Sequence, residues 1–127
     1  MYPPAWLTDR LSIQEDEVDG IRIPAQTLIA GFIYGTHHNS EYWENPHQFN
    51  PDRFSGDAKI HPFAFLPFGG GPRLCIGMQF ALMEMKIVLR HLILNFDFKA
   101  MEPGLVHMKP LVTLGMSSNL PITLTSR

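Results

Sequence analysis

The chain has 127 residues, 45% of them hydrophobic and 17% charged, with a formal net charge of −2 at pH 7. That length suits one small domain rather than two, the composition is that of a globular chain, and the near-neutral charge leaves no electrostatic footprint for nucleic acid. A single cysteine excludes an internal disulfide and a zinc site built from several cysteines, and the six histidines show no HExxH or HxxxH pairing.

Taken in chain order, Tyr2-Pro3-Pro4 marks an extended start with no signal-peptide pattern, and Ala5 to Thr8 reads as a short strand. The acidic cluster Glu15-Asp16-Glu17 reads as a solvated turn. Asp19-Gly20, set between Val18 and Ile21-Arg22-Ile23, is a hairpin signal. Thr27 to Ile33 is rich in branched and aromatic residues and reads as the best strand. Asn39-Ser40 can cap a short helix through Glu41-Tyr42-Trp43, stopped near Asn45-Pro46. The stretch from Pro51 to Pro72 carries four prolines and several glycines, so ordered loop is expected there. Its apolar residues, including Phe54, Phe65 and Phe68, imply that it rests against other parts of the protein.

From Ile76 to about Asn95 the pattern is helical. Gln79, Lys86 and Arg90 fall on one narrow stripe, and Glu84 with His91 on a second about 130° away. The rest of that helix is apolar on nearly every side, the pattern of a helix interior to a large protein. A chain of 127 residues can hardly surround it, so the chain reads as a piece of something bigger. Short strands are expected after Asn95, with turns near Lys109-Pro110 and near Ser117-Ser118-Asn119, where Asn119 suits a left-handed backbone. No apolar run approaches the ~18 residues of a membrane span.

The most informative segment is Phe68-Gly69-Gly70-Gly71-Pro72-Arg73-Leu74-Cys75-Ile76-Gly77. Three glycines remove side chains that would keep the backbone away from a flat ring. A cysteine at a helix start has its thiolate stabilised by the helix dipole and by free amides. Arg73 can neutralise an acidic group on a cofactor rim. No Gly-Lys-Ser/Thr follows the glycines, which argues against a phosphate loop.

This segment resembles the haem-thiolate loop of cytochromes P450, whose fixed positions are filled here by Phe68, Gly71, Arg73, Cys75 and Gly77. Five such matches arise by chance in on the order of one in 10^5 chains of this length. The resemblance extends over essentially the whole chain, through Tyr2-Pro3-Pro4, Ile23-Pro24-Ala25, His37, Tyr42-Trp43, Pro51-Asp52-Arg53-Phe54 and the long helix with Glu84 and Lys86. It implies an α+β fold corresponding to the C-terminal portion of the P450 fold, with residues 1–127 forming a partial domain. The family's K-helix Glu-x-x-Arg and its I helix are not in this sequence, and Met1 is expected to be an internal methionine.

The resemblance also implies roles. Cys75 would be the axial iron ligand of haem b (iron protoporphyrin IX). Arg73, and secondarily Arg10, would meet the haem propionates. Phe68 would shield the sulfur, while Gly69, Gly71 and Gly77 would admit the backbone close to the ring. Arg53, deprived of the acidic and basic K-helix partners it has in the family, would be exposed or strained. His37 would lie at a strand exit, near the haem edge or, more in keeping with its setting, in solvent or on a backbone hydrogen bond. Trp6, Leu7 and Thr8, and residues 109–112, occupy places similar to substrate-contact regions. The implied activity is monooxygenation of a small apolar organic substrate with O2 and electrons from a reductase or ferredoxin. A P450-fold peroxygenase or peroxide-rearranging enzyme, and a non-catalytic remnant, are the alternatives. Substrate, membrane anchoring and location are not legible, and the isolated chain is expected to be inactive.

Overall fold

The computed structural model describes residues 1–56, 58–101 and 106–127. The chain divides into two compact units, Met1–Pro67 and Phe68–Arg127.

The first unit contains four short strands and one short helix. Strand β1 (Thr8–Leu11) pairs antiparallel with β4 (Leu28–Gly31), Thr8 opposite Gly31 and Leu11 opposite Leu28. Between them, β2 (Asp16–Val18) and β3 (Ile21–Ile23) form a hairpin closed at Val18 and Ile21. Its two turn residues, Asp19 and Gly20, both adopt positive φ, at 51° and 78°. This is the geometry an Asp-Gly hairpin needs to match strand twist. The first strand lies three residues later than Ala5–Thr8, because a bend occupies Pro4 and Ala5 and the pairing partner of Thr8 is the last residue of β4.

The expected strand Thr27–Ile33 ends at Gly31. Helix α1 (Ile33–His38) comes next, anchored by the Tyr34 amide on the Trp6 carbonyl at 3.1 Å. Branched and aromatic residues favour strand locally, but here burial of Ile33 and His37 overrides propensity. Gly35 leaves room for the Phe32 ring: a Cβ there would sit 2.5 Å from it. Asn39 caps the next turn, its Oδ1 accepting from the Glu41 amide at 2.9 Å. The expected helix 41–43 is no longer than that turn, with the Tyr42 and Trp43 amides both on the Asn39 carbonyl. Asn45 then takes φ 46° and ends it. A 3-10 turn covers Pro51–Phe54, its Asp52 amide capped by the Asn50 side chain at 3.0 Å. The core of this unit is small: Ile33, His37, Trp43 and Ala64.

In the second unit, a 3-10 turn (Gly71–Arg73) leads to helix α2 (Met78–Asn95). Strand β5 (Phe96–Ala100) begins directly after it and pairs with β8 (Ile122–Ser126), enclosing the hairpin of β6 (Met108–Pro110) and β7 (Leu114–Met116). The turn expected at Lys109-Pro110 falls instead on residues 111–113. Pro110 ends β6, a place that tolerates the missing amide. Asn119 is not left-handed; among the described residues, those other than glycine with positive φ are Asp19, Gln26 and Asn45. Arg127 clips the end of α2, donating from Nη1 to the Ile93 carbonyl at 2.6 Å while pairing with Asp97.

Helix α2 contains no buried residue. Phe80, Met83, Met85, Ile87, Val88, Leu89, Ile93 and Leu94 are all exposed. At 3.6 residues per turn their directions circle the helix with no gap wider than about 80°. Among the described residues, no helix is long and apolar enough to cross a membrane.

Candidate functional site

The cysteine loop is closed by one backbone hydrogen bond: the Cys75 amide donates to the Phe68 carbonyl at 3.0 Å. Two glycines make that closure possible. Gly69 and Gly71 adopt φ of 77° and 63°, where an L side chain is strained. A Cβ on Gly71 would meet nothing within 4 Å, so its surface is open. The loop ends with the Met78 amide on the Cys75 carbonyl at 3.3 Å, and Gly77 is the N-cap of α2.

Cys75 is a free, exposed thiol at the start of this 18-residue helix. Gly77 lies beside it: a Cβ there would be 3.8 Å from Sγ. Among the described residues, the amides of Ile76 and Gly77 have no acceptor. Arg73 is exposed and makes no hydrogen bond or ion pair among the described residues, so its planar fork of donors is open to a carboxylate. Phe68 is half-buried. Among the described residues no three His, Cys, Asp or Glu side chains converge on a metal-sized site. These features fit a haem: one exposed thiol, glycines clear of side chains, and, two residues before Cys75, a guanidinium with no partner among the described residues.

Arg10 belongs to the other unit. It lies on β1 opposite Ile29, exposed, with Nη1 donating to the Asp9 carbonyl at 2.6 Å. Trp6 is half-buried with its ring edge-on to Phe32, Leu7 is exposed and Thr8 half-buried. Residues 109–112 are exposed, Val112 almost completely at 98%.

Two expectations need correction. Arg53, expected to be exposed or strained, is half-buried and bonded. Its guanidinium donates to four carbonyls, those of Glu44 (3.0 Å), Asn45 (3.3 Å), Gln48 (3.0 Å) and Asn50 (3.1 Å), and lies 5.9 Å from the centre of the Trp43 ring. The loop 44–50 supplies the partners that sequence reasoning sought upstream. His37 lies in α1 rather than at a strand exit, and it is 1% exposed. Its Nε2 accepts the Leu66 amide at 2.8 Å, so the backbone-bond reading holds and the solvent reading does not. Accepting at Nε2 puts the proton on Nδ1, a buried atom with no partner among the described residues. Burial, then the nearby amino terminus, then His38 push the His37 pKa down from 6.5 to about 4, so the ring is neutral. Nothing in the spacing of His37 and Leu66, 29 residues apart, signals this bond.

The cytochrome P450 family model matches residues 1–122. The chain belongs to the cytochrome P450 family. It is 43% identical to cytochrome P450 3A18 of Rattus norvegicus over 86% of this chain and 22% of that protein. It is 38% identical to thromboxane-A synthase of Macaca fascicularis over 100% of this chain and 25% of that protein. It is 39% identical to cytochrome P450 3A19 of Capra hircus aegagrus over 92% of this chain and 54% of that sequence. This P450 chain thus spans about a quarter of the first two relatives, and its mixture of helix and small sheets is compatible with an α+β portion of such a fold. Membership of the family implies haem as cofactor.

Proposed function

We propose that residues 1–127 form the haem-binding portion of a haem-thiolate monooxygenase acting on a small apolar organic substrate. The observation that carries this reading is the exposed Cys75 thiol at the start of α2, in a glycine-flexed loop with Arg73, which has no partner among the described residues. Bound haem supplies activation of O2, favoured by electron donation from a thiolate ligand. The chain's own part is to hold that ligand. Phe68, Gly69, Gly71 and Gly77 set the backbone against the ring. Arg73 and Arg10 take the two propionates. Trp6, Leu7, Thr8 and residues 109–112 contribute apolar substrate contacts. O2 and an electron-donating reductase or ferredoxin complete the reaction.

The test is spectroscopic. The haemin-loaded chain, reduced under CO, is expected to show the strongly red-shifted Soret band of thiolate ligation, and Cys75→Ser is expected to lose it. Arg73→Ala should weaken haemin binding about ten- to a hundredfold, as loss of a charged hydrogen bond of roughly 1.5–3 kcal/mol requires. A Soret band that Cys75→Ser leaves unchanged would sink the assignment.

A further inference from the structure

Two buried side chains of the first unit, His37 and Trp43, meet three consecutive residues. Trp43, 3% exposed, donates from Nε1 to the Ala64 carbonyl at 3.2 Å. His37 accepts the Leu66 amide at 2.8 Å. The Phe65 ring between them lies 5.0 Å from the His37 ring and 6.0 Å, edge-on, from the Trp43 ring. Ala64 is therefore held by its carbonyl, Phe65 by its ring and Leu66 by its amide. Ala64 is itself buried, so the Trp43 bond is not readily replaced by water, while the Leu66 bond is part-buried.

The backbone just beyond Leu66 is stiff. Pro67 has its own φ fixed by the ring, and it restricts Leu66 to extended backbone. The next residue, Phe68, supplies the carbonyl on which the Cys75 amide closes the cysteine loop. Between the clamp and the loop's closing bond there is one proline and no glycine.

We propose that His37 and Trp43 are positioning residues of the cysteine loop: by pinning 64–66 they fix the backbone from which the Phe68–Cys75 closure is made. The proposal rests on the reading of Cys75 as an iron ligand that must be held still, and it gives two residues outside the motif a part in holding it.

Amide hydrogen exchange on the full chain tests it without haem. His37→Leu removes the acceptor and keeps most of the volume. The Leu66 amide is expected to exchange at least about tenfold faster, the cost of one unsatisfied buried N–H, and the Cys75 amide to accelerate by a similar factor. The Phe96 amide, bonded to the Leu92 carbonyl at the far end of α2, should stay unchanged. His37→Gln, whose side-chain carbonyl can accept the same bond, should restore both. Acceleration at Leu66 alone would confine the clamp to 64–66 and overturn the proposal. If His37→Leu loosens every amide, Phe96 included, Trp43→Phe decides: it must accelerate Cys75 and spare Phe96, or the proposal falls. Because no step involves haem, this failure is separate from failure of the thiolate assignment, which the Cys75→Ser spectrum reads.

Discussion

Arg53→Ala removes the hub of the loop that runs from Glu44 to Asn50. Four carbonyls lose a cationic donor at 3.0–3.3 Å, and the Trp43 ring loses the guanidinium 5.9 Å from its centre. In a fully buried setting each charged hydrogen bond would contribute roughly 1.5–3 kcal/mol. Arg53 is only half-buried. Water can reach the vacated carbonyls, and about 0.5–1 kcal/mol per bond is the appropriate scale. Adding about 0.5–1 kcal/mol for the cation over the ring gives a loss of roughly 3 kcal/mol. The assay is urea unfolding monitored by Trp43 emission in a Trp6→Phe background, so that one indole reports. With a denaturant slope near 1.5 kcal/mol per molar, the midpoint should fall by about 2 M. Arg53→Lys should fall between the two, because an ammonium is a point donor and cannot span four separated carbonyls. A midpoint within about 0.3 M of the parent for Arg53→Ala would refute the reasoning.

Three further outcomes are expected. His37 is neutral when folded, with its pKa near 4 against 6.5 unfolded, so the unfolded chain binds more protons between those values. Stability is full above about pH 6.5 and falls as pH drops toward 4, by ~2 kcal/mol after discounting the solvent-screened charges from the nominal ~3.4; His37→Leu should flatten that slope in pH-dependent unfolding, and an unaltered slope would exclude His37 as its source. Gly71→Ala forces a Cβ onto a φ of 63° and should cost about 1–2 kcal/mol by urea unfolding, although the site has room for the methyl; a neutral result would show that the loop can re-fold around it. Ile87→Lys lies on the exposed surface of α2 and should change stability by less than about 0.5 kcal/mol while lowering binding of a hydrophobic dye; a large destabilisation would mean that Ile87 is buried in solution.

Local chemistry makes part of this fold readable. Asp19-Gly20 specifies its hairpin because both residues tolerate positive φ, and α2 arises from an unbroken run of helix formers after Gly77. The cysteine loop is readable for the same reason: its glycines, arginine and thiol are neighbours in sequence. The unreadable parts depend on distant partners. Ile33 and Tyr34 carry strand propensity, yet the Trp6 carbonyl and the burial of Ile33 make them helical. Arg53 misleads because its acceptors are backbone carbonyls, which every residue possesses and no motif marks. His37 is open between several settings in sequence because the amide that fixes it lies 29 residues away.

The nesting of β6 and β7 inside the β5–β8 pair bears on the order in which the second unit assembles. Before any of it forms, Ala100 and Ile122 are joined by about twenty unrestrained residues, and closing such a loop is paid for in chain entropy before the ladder returns anything. The inner hairpin joins Pro110 to Leu114 across only three residues. Once it has zipped, the outer strands meet over a tether shortened by the length of that hairpin. Assembly is then expected to run from the inside outwards, with α2 clipped last, because Arg127 follows directly on β8, which pairs with β5. A substitution in the small inner hairpin should therefore be felt as slower closure of strands that it does not touch.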